Sequence, residues 1–297
     1  MQRCWQVILV HHDQASYLRW QMDRRNGARQ AKTICVVSGK GGVGKTNFAV
    51  NFALELTKQK KRVLVFDLDV GMGNVDLLLG RNAKKTIIDM FRPGESIHDI
   101  IEIGPHQLHY IAGGSGLNEL FKMDSARKDY FLKQMEEVTF RFDYIIFDIG
   151  AGIHADSLFF ILAADECIVI TTPEPTSITD AYSVIKHILQ QNTSIPIRFV
   201  LNRAVTKKHG EKVVKQFQQV VKKFLQIDIR CIGMLPDDKT VSQSVMRQVP
   251  FTIAAEKSSA AKAVKEIASA FVADAKEYDK SRTASFIQRL KRFFSEE

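Results

Sequence analysis

The chain has 297 residues, 45% of them hydrophobic, enough to fill one large α/β domain or two small ones. Forty-two lysines and arginines against 33 acidic residues leave a net charge of +9, which favours an anionic partner, membrane or nucleic acid, without choosing between them. No apolar run is long enough to span a bilayer, and the VILV run at 7–10 is too short for a signal-peptide core. Cys4, Cys35, Cys167 and Cys231 are scattered with no C-x-x-C pair, so a cytoplasmic protein without disulfides or a zinc site is expected.

The first element is DQASYLRWQ, residues 13–21. Asp13 suits an N-cap, and Ala15, Leu18 and Met22 fall on one face of a short helix. Such a helix is marginal alone and orders on a partner. The polar, basic stretch RRNGARQAK, 24–32, then reads as a linker. TICVVS, 33–38, is a β-branched run that predicts a buried strand. It leads into GKGGVGKT, Gly39–Thr46, which fits the G-x-x-x-x-G-K-[ST] phosphate-loop pattern. Gly39, Gly41, Gly42 and Gly44 let the backbone around Val43 turn its N–H groups toward phosphate. Lys45 is placed to neutralise the β- and γ-phosphates and Thr46 to ligate Mg2+. The following NFAVNFALELTKQ predicts a helix whose N-terminus favours an anion.

Further apolar runs recur at 62–69, 108–114, 142–150, 166–173, 197–203 and 229–236, separated by stretches of helical spacing such as SARKDYFLKQMEEV and EKVVKQFQQVVKKFLQ. Strands alternating with helices predict an α/β fold with a doubly wound, mostly parallel sheet and helices on both faces. Ligands in such folds sit beyond the carboxyl ends of the strands. Asp67 and Asp69 end the second run, Asp148 ends FDYIIFDIG, and Asn202 and Arg203 end IRFVLNR. Asp148 reads as a Walker B carboxylate that reaches Mg2+ beside the phosphate loop. The chain closes with SRTASFIQRLKRFF, 281–294, where Phe286, Ile287, Leu290, Phe293 and Phe294 form one stripe flanked by Arg282, Arg289, Lys291 and Arg292. This pattern predicts a basic amphipathic helix for an anionic membrane surface.

Lys40, the extra lysine after the first glycine, makes the loop resemble the deviant phosphate loop of the MinD/ParA family of ATPases. The resemblance implies an ATP-sandwich homodimer in which Lys40 reaches the other subunit's nucleotide, and hydrolysis that releases the dimer. It makes Lys40, Lys45 and Asp69 the catalytic candidates, with Asp69 orienting the attacking water. Thr46, Asp67 and Asp148 become the magnesium candidates. The nucleotide is then bound by the loop together with Asn202 and Arg203 on the adenine side, Pro236 and Asp237 in MLPDD, and Glu174 near the dimer face. The DIGAG segment departs from the family's D-x-P-A-G by placing Gly150 at the proline position, which loosens a loop expected to sense the γ-phosphate.

The D-Q-A-x-x-L-R segment resembles the activator motif of the flagellar FlhG (YlxH, FleN) family. By that resemblance Asp13, Gln14, Ala15, Leu18 and Arg19 contact the GTPase FlhF, Gln14 facing its GTPase site, and flagellar C-ring switch proteins are further partners. The resulting organisation is an extension at 1–30, an ATPase domain at 31–278 and a membrane-targeting helix at 279–297. A division-site MinD is disfavoured by the 13–19 segment. A ParA-like nucleoid- or cargo-positioning ATPase would use Lys207, Lys208, Lys212, Lys215, Lys222 and Lys223, which read more simply as a solvated helix face, so nucleic acid is not the expected partner. A cluster-bridging electron carrier lacks the cysteine pairs it needs.

Overall fold

The computed structural model describes residues 29–69, 73–113, 124–152, 155–191, 195–278 and 285–295. Asp13, Gln14, Ala15, Leu18 and Arg19 lie outside the described residues.

The β-branched and aromatic runs become β1 (Lys32–Ser38), β2 (Val63–Leu68), β4 (His109–Ile111), β5 (Tyr144–Ala151), β6 (Glu166–Thr171), β7 (Ile197–Ala204) and β8 (Arg230–Pro236). A two-residue β3 (Glu102–Ile103), too short to leave a sequence pattern, pairs antiparallel with β4. The sheet order is β3-β4-β2-β5-β1-β6-β7-β8, and the other pairs are parallel. β1 sits centrally between β5 and β6, so the chain leaves it toward one half of the sheet and later returns to build the other. That reversal opens a crevice at the carboxyl end of β1.

Helices cover both faces. They are α1 (Lys45–Lys58), α2 (Val75–Leu78), α3 (Ile97–Ile100), α4 (Ser125–Arg141), α5 (Ala155–Ala163), α6 (Pro175–Gln190), α7 (Lys207–Leu225), α8 (Lys239–Met246), α9 (Phe251–Ala254), α10 (Ser259–Tyr278) and α11 (Phe286–Ser295). Strand alternation divides the core into two layers. Cys35, Val37, Leu64, Phe66, Ile145 and Phe147 point into one layer, with residues of α4, α5, α6, α7 and α11. Ile34, Val36, Val63, Val65, Tyr144 and Ile146 point into the other, with α1, α9 and α10. α1 is buried around most of its circumference because α10 covers its outer side, where Phe52 meets Phe271 edge-on at 5.3 Å. Lys207, Lys208, Lys212, Lys215, Lys222 and Lys223 are all exposed along α7, and Lys222 pairs with Asp228 at 2.9 Å.

α10 approaches β8 closely because Gly233 has no side chain. A Cβ at that position would overlap Cγ1 and Cδ1 of Ile267, itself 4% exposed. Gly233→Ala should therefore lower stability by about 1–3 kcal/mol through overpacking. Combining it with Ile267→Ala should cost less than the sum of the two single changes, because the second removes the atoms the first collides with. Urea unfolding of the four proteins measures the coupling, and strict additivity would contradict this packing.

Candidate functional site: a phosphate loop between two strand ends

The glycine loop leaves β1 at Ser38, whose Oγ donates to the Lys40 carbonyl at 3.0 Å. Gly42 (φ 77°) and Gly44 (φ 90°) occupy the left-handed region that side chains disfavour. Gly39 is needed for space, since a Cβ there would overlap the Asp180 backbone in α6. α1 starts at Lys45 with no side chain capping its first turn. Its leading N–H groups and positive dipole end form an anion site of the kind phosphate occupies.

Lys45 is buried and donates from Nζ to Asp148 Oδ1 at 2.6 Å, with Thr46 Oγ1 at 3.3 Å. Asp148 is fully buried and stands beside Asp67 in the β2–β5 register. Both carboxyls are pushed upward. Burial is the main cause for each, and Asp148 adds repulsion at Asp67, while Lys45 opposes the rise at Asp148. Asp148 Oδ2 is buried with no hydrogen-bond partner. An orphaned carboxylate oxygen next to a second crowded carboxyl and a threonine hydroxyl fits a divalent cation, whose charge would lower both carboxyl groups. Asp148 and Thr46 are the residues that would hold Mg2+.

Asp67 is engaged by backbone donors. Its Oδ1 accepts from Asp69 N at 3.0 Å, and its Oδ2 accepts from Asn74 N at 2.9 Å and Val75 N at 3.1 Å. It therefore ties the start of α2 to the end of β2, the capping role open to an acidic strand end. Gly113 makes room for it, since a Cβ there would lie 2.8 Å from Asp67 Cγ. Asp69 lies at the mouth of the same crevice, where a Cβ at position 150 would come 3.5 Å from its Oδ1. Gly150 does not begin a loop. β5 runs on through Ala151, which pairs with Ser38, and Gly152 N donates to Ser38 O at 2.9 Å. These bonds join Ala151 and Gly152 to β1, and Gly150 lies in the register irregularity between the Asp148 and Ala151 pairings.

Lys40 points away from the buried pair. Its Nζ donates to Glu174 Oε2 at 2.6 Å and Thr176 Oγ1 at 3.0 Å, at the start of α6. The Lys40 hydrogen bond and charge hold the Glu174 carboxyl below its usual range. Glu174 is thus bound to a loop lysine of its own chain. Thr176 completes this contact, and its only sequence signal is its place two residues after Glu174.

On the other side, Asn202 Nδ2 donates to Val43 O at 2.7 Å. Arg203 is exposed, Pro236 pairs with Ala204 at the end of β8, and Asp237 N donates to Ala204 O at 3.0 Å. The structure thus gathers Asn202, Arg203, Pro236 and Asp237 at adjoining strand ends. The exposed Asp237 side chain contrasts with that of Asp238, whose carboxylate accepts from Thr240 N, Thr240 Oγ1, Ser259 Oγ and Ala260 N at 2.7–3.2 Å. Against the upward push of burial, these bonds hold Asp238 well below the carboxylate range and fasten α8 to α10. A D-x-T spacing before a helical run is the signal that marks Asp238 as the N-cap.

The terminal helix corrects the membrane reading in one respect. Its stripe is not presented to solvent but packed on the protein. Phe286 is 3% exposed and Leu290 is fully buried, with Ile287, Phe293 and Phe294 partly buried against the same core. Phe286 stacks on Phe147 at 5.3 Å, and Phe294 meets Phe159 at 5.7 Å and Phe131 at 6.4 Å. Arg289 bonds Ala163 O at 2.6 Å and Asp165 Oδ1 at 2.5 Å. A stripe suited to a bilayer is equally suited to a groove between helices, and α4 and α5 supply that groove. Among the described residues, no helix is long and apolar enough to cross a membrane.

Residues 29–272 match the ParA family model, described as NUBPL iron-transfer P-loop NTPase. The antiactivator FleN of Pseudomonas aeruginosa is 30% identical over 247 residues, covering 83% of this chain and 88% of that protein. The flagellum site-determining protein YlxH of Helicobacter pylori is 31% identical over 270 residues, covering 88% and 90%. The MinD structure from Pyrococcus horikoshii complexed with Mg-ADP shares the fold with a TM-score of 0.65 at 22% identity, over 84% of this chain and 99% of that one. With its phosphate loop, buried Lys45–Asp148 pair and central parallel sheet, the chain belongs to the ParA/MinD family of P-loop ATPases.

Proposed function

We propose that this ATPase is a nucleotide-switched regulator of flagellar number and placement. ATP joins two copies face to face, slow hydrolysis parts them, and the dimer attaches to the inner face of the cell membrane. The flagellar part of the reading is supported by similarity to FleN and YlxH over most of the chain. The switch is carried by one observation: Lys40 lies outside the buried site, held by a surface pair in which its side chain is 32% and that of Glu174 57% exposed. Exposed ion pairs are weak because water screens them, so releasing Lys40 toward a second copy costs little.

In the reaction, water attacks the γ-phosphorus, the bond to the β–γ bridging oxygen breaks, and the electron pair leaves on ADP. Asp69 orients the water. Lys45, the loop N–H groups and a Lys40 from the facing copy stabilise charge on the transferring group and the leaving oxygen. Bound Mg2+ supplies further neutralisation of the β- and γ-phosphates. Lys40→Ala and Lys45→Ala should each abolish ATP-dependent dimerisation in light scattering after gel filtration. A dimer that persists unchanged in Lys40→Ala would remove the sandwich.

Membrane attachment requires α11 to leave the groove and turn its aromatic stripe to lipid. One short helix binds weakly, so pairing two in the dimer adds avidity. Removing residues 281–297 should end ATP-dependent co-sedimentation with anionic liposomes while dimerisation survives. Lys291→Glu with Arg292→Glu, at positions exposed on the docked helix, should weaken liposome binding without uncovering the groove. Full sedimentation of both variants would assign the helix to packing alone.

The 13–19 segment is proposed to stimulate GTP hydrolysis by FlhF, with C-ring switch proteins as further partners. A peptide covering 11–30 should accelerate that hydrolysis, and its Gln14→Ala form should not. No stimulation, with ATP-dependent liposome binding preserved, would turn the reading toward a division-site or cargo-positioning ATPase.

A further inference from the structure

The parallel pairing of β7 with β8 is irregular between Leu201 and Ala204, and the two residues in that gap are Asn202 and Arg203. Arg203 has φ 57°, a left-handed conformation that a residue with a long side chain adopts at a cost. Such irregularities re-aim a side chain out of the strand's ordinary alternation. Here the re-aimed side chain is Asn202. Its Nδ2 donates to Val43 O at 2.7 Å, while its Oδ1 accepts from Arg203 N at 2.9 Å. The contact is tight, since a Cβ on Gly44 would overlap Asn202 Nδ2.

The carbonyl of Val43 and the N–H of Gly44 belong to one peptide unit. In a trans peptide the two point in opposite directions, and the structure contains no cis peptide among the described residues. Fixing the carbonyl on Asn202 therefore fixes the Gly44 N–H pointing away from β7. It also keeps a carbonyl oxygen from rotating into the place of an anion. At the other end of the loop, α6 is packed directly on Gly39. The loop is braced from both sides, by a helix backbone at its start and by one amide near its end.

We propose that Asn202 is a positioning residue for the phosphate loop, holding the Val43–Gly44 peptide in the orientation that binds phosphate. This assigns it a role separate from any contact with adenine, and it rests on the reading of Gly39–Thr46 as the phosphate site. The two roles are separable with a ligand that has phosphates and no base.

The test is calorimetric titration of magnesium ATP and magnesium tripolyphosphate into the wild type, Asn202→Ala and Asn202→Asp. Asn202→Asp keeps the size and the acceptor for Arg203 N, and loses the donor to Val43 O. Loss of one such hydrogen bond should weaken binding about tenfold, and Asn202→Ala should weaken ATP and tripolyphosphate by the same factor. Weakening of ATP alone would make Asn202 a base contact and overturn the proposal. A second measurement needs no ligand: the NMR order parameter of the Gly44 N–H, measured in the nucleotide-free full chain, should fall in both variants. An unchanged Gly44 order parameter in Asn202→Asp, with the fold intact, would overturn the proposal whatever the titrations give. A wild type that binds neither ligand would instead refute the phosphate-site reading itself.

Discussion

Two carboxyl groups, Asp67 and Asp148, stand side by side on β2 and β5 with almost no contact with water, and a single buried ammonium, Lys45, answers the second of them. Like charges so placed cannot both ionise cheaply. The surroundings resolve this differently for each. Asp67 is surrounded by three backbone N–H groups and becomes a joint between β2 and α2. Asp148 keeps one oxygen free and one on Lys45. The proposed nucleotide chemistry uses that second arrangement, because an unsatisfied carboxylate beside a threonine hydroxyl suits a divalent cation, and a buried lysine beside a helix N-terminus suits phosphate. The crevice at β1 is thus short of positive charge around Asp67 and Asp148 and rich in donors a few ångströms away, along the loop.

Much of this was legible in the sequence. The phosphate loop is readable because its chemistry is local: glycine spacing, Lys45 and Thr46 fall within eight residues. The parallel sheet is readable because strands buried on both faces need apolar residues in nearly every position. What escaped depends on distance along the chain. The contact of Glu174 with Lys40 spans 134 positions, and that of Asn202 with Val43 spans 159. An acidic residue at a strand end such as Asp67 serves equally as metal partner or helix cap in sequence, and its bonds to Asn74 and Val75 come into view only in the fold. The backbone bonds that flank Gly150, from Ala151 and Gly152 to Ser38, are likewise invisible in sequence, since Ser38 lies over a hundred residues earlier.

The terminal helix shows the same limit from the opposite direction. Periodicity places Phe286, Ile287, Leu290, Phe293 and Phe294 on one stripe correctly, and the basic residues around them are where an interfacial helix would have them. Periodicity carries no information about what lies opposite the stripe. The groove is built from Phe131 of α4, Phe159 of α5 and Phe147 of β5, residues that from their own sequence neighbourhoods belong to an ordinary core. Arg289 is the discriminating side chain. On a membrane-facing helix it would seek lipid phosphates, whereas here the Ala163 carbonyl and the Asp165 carboxylate occupy it. Asp165 in turn accepts from the Thr33 backbone and hydroxyl at 2.8 Å, so the helix is fastened to the start of β1.

Strand alternation brings the tail and the nucleotide site closer than their separation in sequence suggests. Phe147 and Asp148 are consecutive in β5 and point to opposite faces. Phe147 receives Phe286 of the tail on one side, and Asp148 receives Lys45 of the phosphate loop on the other. β1 repeats the pattern, since Thr33 near its start organises the Asp165 that holds Arg289, and Ser38 at its end anchors the loop at Lys40. The docked helix and the phosphate loop are therefore fixed to the same two strands. The helix proposed to leave for a membrane is thus seated behind Asp148, the carboxylate proposed to hold the cation, with one peptide unit of a buried strand between them.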